Sequence, residues 1–484
     1  MTALARIAAI AAIALSGGFA PAHLVAQGNA AIVISNVTVI DVESGQRQPG
    51  VSVVVTGNRI THVGRLTAAQ LPRGARTIDG SGKFLIPGLW DFHVHSAYPG
   101  LMTFMSPLYI ANGITGVREM FGMMTAVRGW RDSVAKGLLA GPRIVAAGHI
   151  LDGPTPIWPN SAAAKTPDDG RRLVDSLKAT GADFIKVYSL LPRDVYLAIA
   201  DQAKKQNITF QGHVPEAVDF REASNAGQKT MEHLTGLPIA CSSREAEMRA
   251  ARANALGDMQ AWRRVAAQQA VAIRDSYDPA RCAEVFALLK KNMSWQVPTL
   301  VVNRNMAYLD DPSLGSDPRL KYIPKFLSSG WDPKADFRLK DRTPAQWEGA
   351  KKAYELQLRM TSEMYKAGVP MLAGTDVLNP YCLPGFSLHD ELDYLVKAGV
   401  TPLDAIRMAT LNPARFLAAT DSLGTIAPNK VADLVLLDAD PLANIRNTTR
   451  INAVVANGRL YDKAAIEGLL TAAEKFAAAS ATPR

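Results

Sequence analysis

A chain of 484 residues is too long for one small core and points to a large fold or to two or three domains. Hydrophobic residues make up 48% and charged residues 20%, with no long low-complexity tract, which excludes a disordered or fibrous protein. The net charge of +9 comes from cations scattered among acids, such as Lys321, Lys325, Lys334 and Lys340, so it marks a solvated surface with at most a mild preference for anionic substrates, not a nucleic-acid interface.

Residues 1–26 read as a secretory signal peptide. Arg6 precedes the apolar run 7–15, small residues follow, and Ala20-Pro-Ala22 and Leu24-Val-Ala26 offer cleavage sites. The run is too short to cross a bilayer comfortably, and no later run is long enough. The mature protein is therefore expected to be soluble and periplasmic or secreted, without stable membrane insertion; the alternative for this segment is an uncleaved amphipathic anchor. Residues 31–65 alternate and turn often, with Gly45, Gly50, Gly57 and Gly64 between short strands, and a matching block lies at 432–437 and 451–455 with a turn at Asn457-Gly458. Two β segments flanking a long middle predict a small β-sandwich domain built from both chain ends, 27–83 and 421–462, followed by a helical tail over 463–484.

The middle, 84–420, alternates strand-like runs with helical patterns. Eight runs (84–90, 113–118, 143–147, 182–188, 208–211, 229–232, 295–302 and 369–373) predict an α/β fold, a (β/α)8 TIM barrel. A helix-rich connection, 243–291, separates the sixth and seventh strands. A second insertion, 304–368, carries Pro312, Pro318, Pro324, Pro333 and Pro344, which predict an irregular loop over the barrel mouth in its first part. Thr401-Pro402-Leu-Asp404 predicts a helix start with proline at its first position, and Leu388, Leu392, Leu395 and Val396 keep helical spacing. The three cysteines, Cys241, Cys282 and Cys382, leave at least one thiol unpaired in a monomer. A Cys241–Cys282 bond is open in an exported protein, but the preferred expectation is three buried thiols. With no CxxC, a cysteine-based zinc site is not expected.

The chemistry gathers on histidines. His93 and His95 end an apolar run; on a strand, residues i and i+2 share a face, so both imidazoles can reach one metal ion. Of eight histidines, His93, His95, His213 and His233 fall at or just after the ends of proposed strands one, five and six, where a barrel assembles its active site. Each alone is also open to a packing role. Lys186 lies in the apolar strand 184–188, where a lysine must be neutralised, paired or snorkelling to the mouth. Asp376 ends Ala373-Gly-Thr-Asp376, either as the N-cap of a following helix or as a general base and acid beside a metal-bound water. Tyr188, on the face of Lys186, is a candidate to hold a substrate carboxylate or a developing oxyanion, and His149, ending strand three, a candidate for substrate contact. Arg118 reads as a supporting ion pair and His389 as structural.

Six motifs stand in order: 86–95, Gly181-Ala-Asp-Phe-Ile-Lys-Val-Tyr188, Gly212-His213, Glu232-His233, Gly374-Thr-Asp376 and Leu388-His-Asp-Glu-Leu392, closed by the segment 424–441. Over about 30–462 the chain resembles the amidohydrolase superfamily, in the group related to imidazolonepropionase and the metal-dependent Xaa-Pro dipeptidases. The resemblance implies that His93 and His95 hold the more buried of two divalent ions together with Asp376, that Lys186 bridges the ions as a carbamate formed with carbon dioxide, and that His213 and His233 bind the second ion. Zinc is the default metal for these ligands, though manganese, iron or cobalt would fit. The implied reaction is attack of a metal-bridging hydroxide on a carbonyl, with Asp376 as proton shuttle. One departure is Pro428-Asn-Lys430, where the family usually has glycine; asparagine tolerates the same left-handed turn. The expected partner is a small-molecule amide or peptide substrate: a dipeptide ending in proline or another residue, an N-acyl amino acid, or an aromatic amide of the ochratoxin type. No nucleic-acid partner is expected. A mononuclear imidazolonepropionase- or deaminase-like ring hydrolase and a catalytically silent binding protein are the alternatives, and the oligomeric state, homo-oligomer included, stays open.

Overall fold

The computed structural model describes residues 30–256, 258–336 and 338–480, so the signal segment and the last four residues of the tail lie outside the described residues. Seven short parallel strands form most of a barrel: β1 (Leu89–Val94), β2 (Ile114–Glu119), β3 (Arg143–Ala146), β4 (Phe184–Val187), β5 (Thr209–Gly212), β6 (Thr230–Glu232) and β7 (Trp295–Val297). β1 to β3 pair in one sheet and β4 to β7 in another. The Asp183 N–H donates to the Ala146 carbonyl at 2.8 Å, joining the sheets on one side. On the other side, residues 371–377 take the eighth position without forming a regular strand: Met371 bridges Gln296 of β7, and Val377 bridges Val94 of β1. The ring therefore closes, and the ends of its strands gather at one mouth.

The predicted first strand, 84–90, is two strands in different sheets. Phe84–Pro87 pairs with Ile32–Ile40 and Leu434–Leu437 of the smaller domain, and β1 begins only at Leu89. Gly88 marks the crossing, where an added Cβ would lie 2.2 Å from the Thr115 hydroxyl. Both halves of the run are buried, so apolarity alone could not reveal the change of sheet.

The smaller domain is one eight-stranded mixed sheet, in place of two separate sandwich layers. In spatial order it runs Arg459–Tyr461, Ile451–Ala456, Leu434–Leu437, Phe84–Pro87, Ile32–Ile40, Arg47–Thr56 and Arg59–Gly64, with Arg76–Asp79 also paired on Ile32–Ile40. Leu434 and Leu436 face a local core with Ile34, Val53 and Ile60, while Val435 and Leu437 pack into the barrel core, as a period of two requires. The edge strand returns to the segment before Leu434, with the Ile60 N–H donating to the Lys430 carbonyl at 2.9 Å, so the sheet folds over its own core. Asn429 takes the left-handed turn (φ 69°).

The first insertion holds the helices Leu237–Ala240, Glu245–Ala255, Met259–Asp275 and Pro279–Lys291. Its two ends meet: Cys241 and Cys282 form a disulfide with Cα atoms 4.6 Å apart, and only Cys382 is a free buried thiol among the described cysteines. This corrects the expectation of three thiols. The helices fold back on themselves and bring residue 282 to residue 241, which linear spacing cannot show. The second insertion is less irregular than its prolines suggested. Pro312, Pro318 and Pro344 each open a helical turn behind the capping residues Asp311, Asp317 and Thr343. Thr401 caps Pro402–Met408, accepting the Asp404 N–H at 3.2 Å. Among the described residues no helix is long and apolar enough to cross a membrane.

Candidate metal centre

Trp90 and Phe92 of β1 pack with Trp295, Val297 and Leu372, while Leu89 and Val94 pack with Leu101, Met105 and Leu108 in the surrounding layer. The pairing with β2 slips between Asp91 and Val94. Such a bulge re-aims side chains, and it lets His93 as well as Phe92 reach the interior. His93 Nε2 lies 3.4 Å and His95 Nε2 2.9 Å from Asp376 Oδ1. One ligand atom from each of His93, His95 and Asp376 falls within 4.8 Å of the others. Asp376 is not a helix N-cap: the next helix, Phe386–Lys397, begins behind Gly385. Instead Asp376 has a left-handed backbone (φ 61°), and its N–H donates to the His93 carbonyl at 2.8 Å. The preceding turn is pinned to β1 by Asp91, which accepts the Thr375 N–H at 3.0 Å and hydroxyl at 2.6 Å. Burial pushes the Asp91 carboxyl up to about 7 against the pull of those bonds.

The other candidates come from β4 to β6. Gln211 of β5 points inward to Arg118, and His213 follows two residues on. Between them Gly212 (φ 129°) allows a close approach: a Cβ there would lie 2.2 Å from the Val187 carbonyl and 2.9 Å from Lys186 Cδ. On β6, Thr230 and Glu232 point inward, so strict alternation would turn His233 away. A left-handed His233 (φ 59°) turns it back. The His233 ring centre lies 4.5 Å from that of His93 and 4.9 Å from that of His213, and His233 Nε2 is 3.8 Å from Asp376 Oδ2.

Three of the rings are held from behind. His93 Nδ1 meets Glu232 Oε2 at 2.8 Å, His213 Nδ1 meets Ser189 Oγ at 2.9 Å, and His233 Nδ1 meets Thr299 Oγ1 at 2.6 Å. Metal-binding histidines are supported in this way, with Nε2 left for the ion. Burial first, and then the charge of Lys186, hold His93 and His213 well below the usual imidazole range. Burial brings His233 down to about 4, with Asp376 opposing and Lys186 assisting, so these rings are neutral near pH 7. Burial raises the Asp376 carboxyl, but His233, His95 and Lys186 outweigh it and keep the carboxyl below its ordinary value. Burial also lowers Lys186 to about 8. Among the described residues, His93 Nε2 and Lys186 Nζ are buried without a hydrogen-bond partner. Orphaned basic nitrogens around an ionised carboxylate form a donor set that suits a divalent ion of the zinc class. His93 is fully buried and His95 is 21% exposed, so the site opens on the side of His95.

Tyr188 stands beside this group. Its ring lies 4.1 Å from that of His213, and its hydroxyl accepts the Trp158 Nε1–H at 2.7 Å. His149 is engaged elsewhere, through Nδ1 at 2.8 Å from the Asn160 carbonyl. Sequence reasoning passed over Ser189, Thr299, Trp158, Asn379 and Arg338. Asn379 Nδ2 donates to the Asp376 carbonyl at 3.1 Å, Arg338 Nη1 donates to Asn379 Oδ1 at 2.9 Å, and the Arg338 guanidinium lies 5.7 Å from the Trp158 ring centre. The second insertion thus reaches across the mouth. Glu232, by contrast, was legible in the sequence through the Glu232-His233 motif.

Residues 350–461 match the model of the amidohydrolase family. The chain is 24% identical over 445 residues to an adenine deaminase of Rubrobacter xylanophilus, covering 89% of this chain and 58% of that one. It is 33% identical over 107 residues to adenine deaminase 3 of Rhizobium meliloti, 18% of each chain. The chain thus spans less than two thirds of the length of these curated relatives. Among solved structures, a bottromycin amidohydrolase matches with a TM-score of 0.72 at 21% identity, covering 92% of this chain and 90% of that one. A Xaa-Pro dipeptidase with methionine bound in its active site gives 0.64 at 20% identity, covering 90% and 100%. At these identities the structural likeness establishes the fold.

Proposed function

We propose that the chain is a member of the amidohydrolase superfamily and a metal-dependent hydrolase of an amide or related C–N bond in a small molecule, a reading supported by the family match over residues 350–461. The observation that carries this reading is the convergence of His93, His95 and Asp376 at the barrel mouth. We favour two ions, zinc by default, because Lys186 lies buried and unpartnered where a bridging carbamate would form and His213 and His233 stand ready for a second ion. Divalent ions bound there would polarise a substrate carbonyl and acidify water enough for attack near neutral pH. The chain's own part is proton transfer and placement. Asp376, kept ionised, accepts the proton of the attacking water and returns it to the leaving nitrogen as the C–N bond breaks, giving a carboxylate and an amine. Tyr188 would hold the developing oxyanion or a substrate carboxylate. Phe121 lies edge-on to His95, with ring centres 6.4 Å apart, and gives the open side an aromatic wall. Dipeptides, N-acyl amino acids and aromatic amides all fit this chemistry, and neighbours named as a dipeptidase, a molinate hydrolase and an ochratoxinase support the choice. We place the protein in the periplasm or outside the cell; the apolar run 7–15 and the Cys241–Cys282 disulfide support an oxidising compartment.

A second reading, a mononuclear ring deaminase, is favoured by the matches to adenine deaminases. One experiment separates the two: metal content per chain, with activity on a panel of dipeptides, N-acyl amino acids, aromatic amides and adenine. The expected result is two ions and hydrolysis of an acyclic amide, lost in Asp376→Asn. One ion, with turnover that survives Lys186→Ala, would establish the ring-hydrolase reading. A metal-loaded protein inert towards the whole panel would overturn the enzyme reading.

A further inference from the structure

We propose that Arg118 and Glu232 form a positioning relay that fixes the proton of His93 on Nδ1 and so sets the metal affinity of the site; this rests on reading His93, His95 and Asp376 as ligands. Arg118, on β2, is 1% exposed and Glu232, on β6, is fully buried. Every nitrogen of the guanidinium is used. Nε donates to the Phe92 carbonyl at 2.6 Å; Nη1 donates to Gln211 Oε1 at 2.6 Å and Thr230 Oγ1 at 2.9 Å; Nη2 donates to Glu232 at 3.0 and 2.9 Å. The guanidinium also lies 4.7 Å from the Phe92 ring centre. The Thr230 hydroxyl donates to Glu232 Oε1, which leaves Oε2 to face His93 Nδ1 at 2.8 Å.

Two consequences follow from this geometry. A carboxylate only accepts, so the imidazole must present Nδ1–H to it, and the lone pair then sits on Nε2, which faces Asp376. The carboxylate in turn would be an unpaired buried anion without the guanidinium, which holds it in place and in register with β2 and β5. Arg118 therefore acts on the ligand through Glu232, from the layer beneath the site. His95 contrasts with this: its Nδ1 lies 3.9 Å from Glu119 Oε1 and makes no hydrogen bond, so the relay is built for one ligand of the pair.

The test uses the full-length protein stripped of metal by chelation. Zinc affinity is measured by competition with a chromophoric chelator, and the cobalt form is followed by its visible absorption. Glu232→Gln keeps the shape, but its amide can turn an N–H towards Nδ1; it should lower zinc affinity roughly ten- to hundredfold and alter the cobalt spectrum. Arg118→Met should move both readouts in the same direction, and the double variant should bind no worse than Arg118→Met alone, because the two act in one chain. Arg118→Lys should fall between, since a point charge cannot replace the fork; with Glu232→Gln it carries the test if Arg118→Met does not fold. A folded Glu232→Gln protein within about threefold of the wild-type affinity would overturn the relay, even if its melting temperature fell, because that is the behaviour of a purely structural pair. Wild-type protein that takes up no zinc lost in His93→Ala would overturn the ligand reading itself and the relay with it.

Discussion

Acid should loosen the helix Phe386–Lys397 through His389, and the size of the effect can be worked from its surroundings. His389 is 4% exposed. Its Nε2 donates to the Asn112 carbonyl at 3.0 Å, and its Nδ1 faces the Thr448 hydroxyl at 2.9 Å, so the ring ties this helix to the small domain and to the end of Met102–Ala111. Burial pushes its pKa down to about 4, against a smaller upward pull from the Asn112 carbonyl. The unfolded chain takes up the proton first, below about 6.5, and the folded chain only near 4. The stabilisation is therefore whole above 6.5 and is lost as pH falls through that window. The full loss is about 3 kcal/mol, and about 2 kcal/mol is gone by pH 5, a large share of a typical domain stability. His389→Gln keeps a donor for Asn112 but does not titrate. Urea unfolding at pH 7.5 and pH 5 should show the wild type losing about 2 kcal/mol more than the variant. The remaining titratable groups are the same in both proteins and cancel. Equal losses in the two would refute the assignment.

Reducing the Cys241–Cys282 bond, or replacing both cysteines by serine, removes a cross-link over a separation of 41 residues, worth about 4 kcal/mol of chain entropy. Melting with and without dithiothreitol checks this, and an unchanged transition would contradict it. Gly212→Ala drives a Cβ against the Val187 carbonyl and Lys186; a loss of about 1–3 kcal/mol in stability should come with reduced metal content. Arg338→Ala should release the second insertion from Asn379 and Trp158 and raise KM roughly tenfold while kcat changes less. Steady-state kinetics on any substrate found would decide, and an unchanged KM would show that this loop does not shape the mouth.

The sequence carried the barrel through its repeated apolar runs, and the mouth through polar residues at the ends of those runs. His93, His95, Lys186 and Asp376 stood out as polar residues within or at the end of apolar runs, and His213 and His233 as histidines just after proposed strand ends. Other features left no local trace. Residues 85–87 and β1 are all buried, so a change of sheet at Gly88 does not alter the pattern. The disulfide depends on a helical hairpin closing over many residues. Ser189, Thr299 and Arg338 are ordinary polar residues in loops, and only tertiary contact gives them a partner near a ligand. His233, Thr299 and Asp376 all have left-handed backbones, uncommon for residues other than glycine and most unfavourable for the β-branched Thr299, and such conformations cluster at functional positions.

Those strained residues bear on metal binding. His233, Leu234, Thr299 and Asp376 all have positive φ and lie at or near the ends of β6, β7 and the eighth segment, where His233, Thr299 and Asp376 contribute to the site. Each such residue costs on the order of 1 kcal/mol, and packed surroundings hold it in place. The same region also keeps the Lys186 amine and His93 Nε2 buried without a hydrogen-bond partner. A ligand that binds only the folded form at about a hundred times its Kd adds about 2.7 kcal/mol, the same order as the strain it would offset. Zinc should therefore raise the melting temperature of the metal-free protein, and chelation should lower it again. The shift should disappear in Asp376→Asn, which keeps the fold but lacks the anion that His93 and His95 face. A zinc-induced shift of equal size in Asp376→Asn would place the ion elsewhere and refute this account of the strain.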